Sequence, residues 1–199
     1  MNQVLLAVAY FPPIEFYCHL AKSNSIIIEQ KEHFIKQTYR SRCSILGANG
    51  PLDLSIPIEK HPNNTPIRDI KISYTTEWQK QHWRSIVSAY NSSSYFMYYD
   101  YELEPFFQKK HTYLFDLNME IMNKLNKLLK IPVDYTLTSE YKALDPTYSD
   151  FRHLISPKTK PEVSFKNYNQ VFDQKFGFIE NLSILDLLFN QGPHSKEFL

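Results

Sequence analysis

Arg40 and Arg42 are the residues of this chain whose spacing points most directly to chemistry. On an extended strand, residues two apart face the same side, so the two guanidiniums would stand about 7 Å apart. Each offers a planar fork of donors, and a pair so placed can grip a phosphate or a carboxylate. Lys36 and Tyr39 adjoin them in sequence, while Tyr10 and His19 follow the first apolar run. All six are candidate substrate-binding residues. The plainer alternative is a solvated strand face carrying ordinary ion pairs.

A second constellation is Trp78-x-x-x-His82-Trp83. His82 falls one helical turn after Trp78 and one before Ile86, which turns it toward the core. Partial burial tunes an imidazole for general-base work, so His82 is a catalytic candidate; a hydrogen-bonded core histidine is the competing role. The third group is Asp150, Arg152, Tyr168, Asn169, Gln170 and Asn181. Asp150 is the second catalytic candidate, suited to orienting a histidine or accepting a proton from a substrate hydroxyl. Arg152, Gln170 and Asn181 are candidate binding residues, because a guanidinium donates and an amide both donates and accepts. Hydrogen bonds that merely pin loops compete with this role, and Asn181 stands where it would cap the last helix. Asn118 and Ser139 are weaker members of the same group.

Several of these stretches are similar to the WbqC-like family of bacterial proteins. They are Tyr10-Phe11-Pro12-Pro13, Lys36-Gln37-Thr38-Tyr39-Arg40-Ser41-Arg42, the Trp78 helix with the aromatic segment Tyr90–Tyr99, Asp150-Phe151-Arg152, Tyr168 to Phe172 and Gly177 to Pro193. The chain departs in lacking the Gln-Pro that often precedes the aromatic pair. Some members are encoded among surface-polysaccharide genes. Together with a cysteine usage that fits a reducing cytoplasm, the resemblance implies a cytoplasmic enzyme of cell-envelope or surface-polysaccharide precursor metabolism, with group transfer to an activated sugar as the candidate reaction. A non-catalytic ligand-binding or scaffolding protein is the alternative.

The elements that must position these residues are legible in part. Val4–Ala9 is a continuous apolar run, read as a central strand stopped by Pro12-Pro13. A helix over Pro13–Lys22 and a strand over Ser25–Glu29 follow. Thr38–Leu46 and Leu52–Ile58 alternate around Gly47-Ala48-Asn49-Gly50, which predicts a hairpin. Ile67–Tyr74 reads as another strand. Helices are expected over Thr76–Tyr90, over Tyr95–Lys109 with a break near Pro105, and over His111–Leu129, followed by a strand over Val133–Thr138. Asp145–Asn167 has little regular pattern, and Ser183–Asn190 predicts a last helix before Gly192-Pro193. The fold expected is a single α+β domain over 1–199, with a mixed or mostly antiparallel sheet covered by helices.

Composition narrows the function. A formal net charge of +1 supplies no broad basic field, which argues against nucleic acid and leaves an anionic small molecule or activated sugar as the expected partner. Only Cys18 and Cys43 are present, too few for a disulfide framework. The four glycines form neither GxGxxG nor GxxxxGK[ST], and GxSxG, HExxH and CxxC are all missing. The sequence specifies no cofactor and no local metal site. No apolar run is long enough to span a bilayer, and oligomeric state is not encoded in any readable pattern.

Overall fold

The computed structural model describes residues 3–141 and 148–199. The apolar run after the first residues forms β1 (Gln3–Ala7), and the prolines release the chain into α1 (Ile14–Ala21). β2 (Ser25–Glu29) then returns alongside β1 in parallel, with Val4 opposite Ile26 and Leu6 opposite Ile28. These residues alternate into the buried core. β5 (Tyr135–Leu137) adds to the far side of β2, and β6 (Ser149–Asp150) to the free side of β1, both in parallel. The order is therefore β5-β2-β1-β6.

β3 (Arg42–Gly47) and β4 (Gly50–Ser55) pair only with each other, as an antiparallel hairpin. The structure is thus mixed α/β, with a parallel sheet and a separate antiparallel ribbon in place of the single mixed or mostly antiparallel sheet expected. The physical reason lies in the connections. A strand that reaches its neighbour through a helix returns parallel, whereas a four-residue turn returns antiparallel.

The middle of the chain is helical: α2 (Trp78–Tyr90), α3 (Phe96–Leu103), α4 (Pro105–Gln108) and α5 (Leu114–Leu128). Pro105 begins α4, as the expected break required. A short α6 (Asp173–Phe176) precedes α7 (Ile184–Gln191), where Leu185, Leu187, Leu188 and Phe189 are fully buried. One contiguous apolar cluster runs from β1 through α2 and α5 to α7.

Two local expectations fail for stated reasons. Ile67–Tyr74 is a 3-10 turn at Ile67–Asp69 followed by isolated bridges. Its amides serve several partners, with Ile67 donating to Glu32, Ile72 to Thr112 and Ser73 to Pro57, so no ladder forms. Thr38–Ser41 is a turn, closed by the Ser41 amide on the Thr38 carbonyl at 3.3 Å, and the strand starts only at Arg42. The first residues of the Asp145–Asn167 segment lie outside the described residues.

Candidate functional site

The carboxyl ends of β1, β2 and β6 meet where the chain leaves β1 to one side and β6 lies on the other. In open α/β sheets this reversal opens a crevice in which ligands bind. Here its floor is occupied by charge. Arg152, just after β6, donates to both carboxylate oxygens of Asp150 and, through Nη1, to Glu29 at 2.9 Å. Arg40 forms a bidentate pair with Glu32, at 2.7 and 2.6 Å, and also donates to the Arg152 carbonyl at 3.1 Å. Thr138 Oγ1 and the Lys31 amide complete the Glu29 carboxylate. Arg40, Glu32, Arg152 and Glu29 are each no more than 3% exposed. Burial pulls the Asp150 carboxyl upward, but Arg152 outweighs it and holds it below the usual range. The space beside Tyr39, Arg40 and Arg152 is about 10 Å³, room for about one water.

Next to this network, with Tyr39 bordering both, lies an open cleft of about 400 Å³. The hairpin supplies one wall. Its register sets Ser44 opposite Asp53 and Leu46 opposite Pro51, so Arg42, Ser44, Pro51 and Asp53 face the cleft while Cys43 and Leu54 turn into the core. Gln37 and Tyr39 come from the turn before β3, Ser156–Thr159 from the loop after β6, and Ile179–Leu182 from the segment entering α7. Arg42 Nη1 reaches Asp53 at 3.2 Å, with the two side chains 27% and 49% exposed. Its Nε is buried and has no hydrogen-bond partner among the described residues. Burial, then the charges of Glu15, Asp53 and Cys43, pushes the Tyr39 hydroxyl up to about 12, so it remains a donor at neutral pH. Gln37 and Asn181 hold positive φ, at 59° and 55°, an arrangement that costs free energy in non-glycine residues and clusters at ligand sites.

Of the residues picked from sequence, Tyr39, Arg42 and Asn181 line this cleft. Arg40, Arg152 and Asp150 belong to the ion network and do not line the cleft, so Arg40 and Arg42 do not share an exposed face. Tyr10 and His82 lie in neither place. They form a buried pair, Tyr10 Oη to His82 Nδ1 at 3.0 Å, flanked by Trp78. Burial lowers the His82 pKa to about 4, partly offset by a hydrogen bond with the Ser55 backbone. His82 is therefore neutral and accepts the tyrosine proton at Nδ1.

His19 stacks on Phe151, with ring centroids 3.7 Å apart, and Lys36 is exposed beside Gln37. Gln170 spends both ends of its amide on Ile179 and donates as well to Asp186. Asn118 donates to the Arg40 carbonyl at 2.7 Å. Asn181 caps a helix, but it is α1 rather than α7. Its Oδ1 accepts the Glu15 amide at 2.9 Å, while Ser183 Oγ caps α7.

Sequence reasoning missed Gln37, Ser44, Asp53, Lys158 and Glu180 as cleft residues. The hairpin register alone carried a signal for Ser44 and Asp53, since cross-strand partners share a face. Lys158 and Glu180 arrive from loops distant in sequence and carried none.

Residues 8–159 match the WbqC-like protein family, which covers most of the chain. The chain belongs to the WbqC-like protein family. A curated relative is the uncharacterized protein Rv1507c of Mycobacterium tuberculosis (strain ATCC 25618 / H37Rv), 25% identical over 217 aligned positions that cover 96% of this chain and 94% of the relative. No solved structure matches the chain. The WbqC-like match takes in the hairpin wall, the ion network and the loop as far as Thr159; the Ile179–Leu182 wall lies beyond it. Among the described residues no cluster of His, Cys, Asp and Glu is suited to hold a metal, and no helix is long and apolar enough to cross a membrane.

Proposed function

We propose that the cleft binds an anionic sugar derivative, such as a sugar phosphate or nucleotide-activated sugar. On this reading the protein acts in the cytoplasm on precursors of the cell envelope or surface polysaccharide, by group transfer. The observation that carries the reading is Arg42. It is half-anchored by Asp53, retains an unused Nε–H, and has Lys158 in the same cleft. A phosphate or carboxylate is the group that satisfies such donors. The Tyr39 hydroxyl, Ser44, Thr159 and Gln37 add the mixed donors and acceptors that sugar hydroxyls require. Family membership supports the envelope context through the gene neighbourhoods of some members.

A transfer step needs a base at the cleft. His82 and Asp150 are committed to internal partners, so Asp53 and Glu180 are the lining carboxylates positioned for that role. Among the described residues no histidine or cysteine lines the cleft, and this favours a second reading in which the protein binds its ligand without transforming it. Calorimetric titration with sugar phosphates, nucleoside diphosphate sugars, inorganic phosphate and oligonucleotides separates the possibilities. The expected result is binding of one anionic sugar class, lost in Arg42→Gln. Tight salt-sensitive binding of nucleic acid, with no response to small anions, overturns the proposal. Asp53→Asn that still binds but forms no product supports transfer; absence of turnover by wild type with any acceptor supports the second reading.

A further inference from the structure

Two walls of the cleft are loops, Ser156–Glu162 and Ile179–Leu182, and both are fastened to one side chain. Glu15, in the first turn of α1, is 3% exposed. Its Oε1 accepts the Glu162 amide at 3.1 Å, and its Oε2 accepts Asn181 Nδ2 at 3.3 Å. Its own amide donates to Asn181 Oδ1 at 2.9 Å. We propose that Glu15 is a positioning residue whose ionised carboxylate holds the two loop walls of the cleft in place, and that protonating it releases them. The inference rests on the reading of the cleft as the ligand site.

An ionised carboxylate only accepts, and each hydrogen bond it makes here comes from a donor. A glutamine sets a donor against a donor at one of the two positions, and a protonated carboxyl loses the charge that strengthens both bonds and keeps only a weaker acceptor at its hydroxyl oxygen. Asn181 cannot rotate its amide to relieve the conflict, because its Oδ1 is already held by the Glu15 amide. The neighbouring backbone is fixed too, with the Ile14 amide on the Leu182 carbonyl at 2.9 Å.

Glu15 forms no salt bridge among the described residues. Burial raises its pKa above the ordinary 4.5, the Glu162 amide and Asn181 pull it partly back, and the Glu162 carboxylate pushes it up again. The other groups that feel it are Tyr39 from the turn before β3 and Cys18 on α1; Lys22 and His19 lie further along the helix, where His19 feels Lys22 and Glu162. Tyr39 and Cys18 are both shifted upward and stay protonated through the acid range. His19 and Glu162 are the neighbours whose titration has to be separated from that of Glu15.

The test is amide hydrogen exchange, expressed as protection factors to remove the intrinsic pH dependence, on the ligand-free protein between about pH 4 and 7. In wild type, protection at the Glu162 amide should fall about tenfold on acidification, as expected for loss of a charge-assisted hydrogen bond, while β1 and β2 amides hold. Glu15→Gln should sit at the low level at every pH, and Glu162→Gln and His19→Gln should each keep the step. Protection at Glu162 that does not change with pH in wild type, or is unaltered in Glu15→Gln, overturns the proposal. Uridine diphosphate glucose serves as probe in a parallel titration. Affinity that falls over the same window supports the clamp as a determinant of binding. An exchange step without any binding of this probe leaves the clamp standing and counts against the ligand reading alone.

Discussion

Arg40 and Arg42 are two residues apart and end in opposite situations. Arg40 is buried away from the cleft, with its guanidinium spread over Glu32 and the Arg152 carbonyl. Arg42 is partly open, holds Asp53 with one nitrogen, and leaves Nε unused. The difference teaches that residue type does not decide whether an arginine is structural or available. Partners do, and here they arrive from far along the chain. In the buried network Glu29, Thr138, Asp150 and Arg152 are all engaged with one another. Such a network fixes geometry, and the guanidinium nitrogens that bind Glu32, Asp150 and Glu29 are already spent. The cleft is incomplete, and incompleteness is what a binding site needs.

The largest expected effect comes from breaking the network. Arg152→Ala leaves Glu29, which is fully buried, without its cation. Removing one partner of a buried pair costs about 3–5 kcal/mol, a large share of the ~5–15 kcal/mol that holds a domain together. Urea unfolding should show a lower midpoint or an unfolded protein; a midpoint within error of wild type would remove the network from the account.

A smaller effect belongs to the carboxyl of Asp186, buried in α7. Burial raises its pKa from 3.8 to about 6, with hydrogen bonds from Tyr168 and Gln170 pulling the other way. The folded state therefore favours the protonated form. Its contribution is full below the unfolded pKa and is lost as pH rises through about 6, a change of roughly 3 kcal/mol. Asp186→Asn should flatten this part of the stability profile, read as the wild-type minus variant difference in unfolding free energy across that window. His82 acts in the opposite sense. Its folded pKa of about 4 lies below the ordinary 6.5, so its stabilisation is present above 6.5 and lost as pH falls toward 4. Tyr10→Phe should leave the direction of that acid loss unchanged, since burial is its main cause; a reversed direction on acid titration contradicts the assignment.

The smallest effect on stability is expected at Arg42. The Arg42–Asp53 pair is largely solvated and contributes about 0–1 kcal/mol. Arg42→Gln should melt close to wild type while losing anion binding, the converse of Arg152→Ala. A variant at Arg42 that unfolds would merge the two regions and remove the contrast between them.

Much of the frame was legible in the sequence. The apolar run of β1, the prolines that end it, and the glycine turn between β3 and β4 are local signals, and each element appears near where its pattern placed it, with β3 starting four residues later than its alternation suggested. β6 is two residues long and leaves no pattern, so the strand that defines the reversal point was invisible. The parallel sheet was implicit in the strand–helix–strand order of β1, α1 and β2. Among the cleft residues Arg42 was legible through a local register, and Tyr39 and Asn181 through their residue types in stretches next to turns. The burial of Arg40 depends on Glu32 and on a carbonyl 112 residues away, and the capping role of Asn181 on a helix 166 residues earlier. No local pattern reports such contacts.

The central claim is that Arg42, not the buried arginines, meets the ligand. Its most direct test is an NMR titration that follows the arginine Nε–H resonances while a sugar phosphate or nucleoside diphosphate sugar is added. The account predicts a saturable shift of the Arg42 Nε–H, accompanied by the Tyr39 and Ser44 amides, with the Arg40 and Arg152 resonances unmoved. Shifts centred on Arg40, Arg152 or the Tyr10–His82 pair, with Arg42 silent, would contradict it.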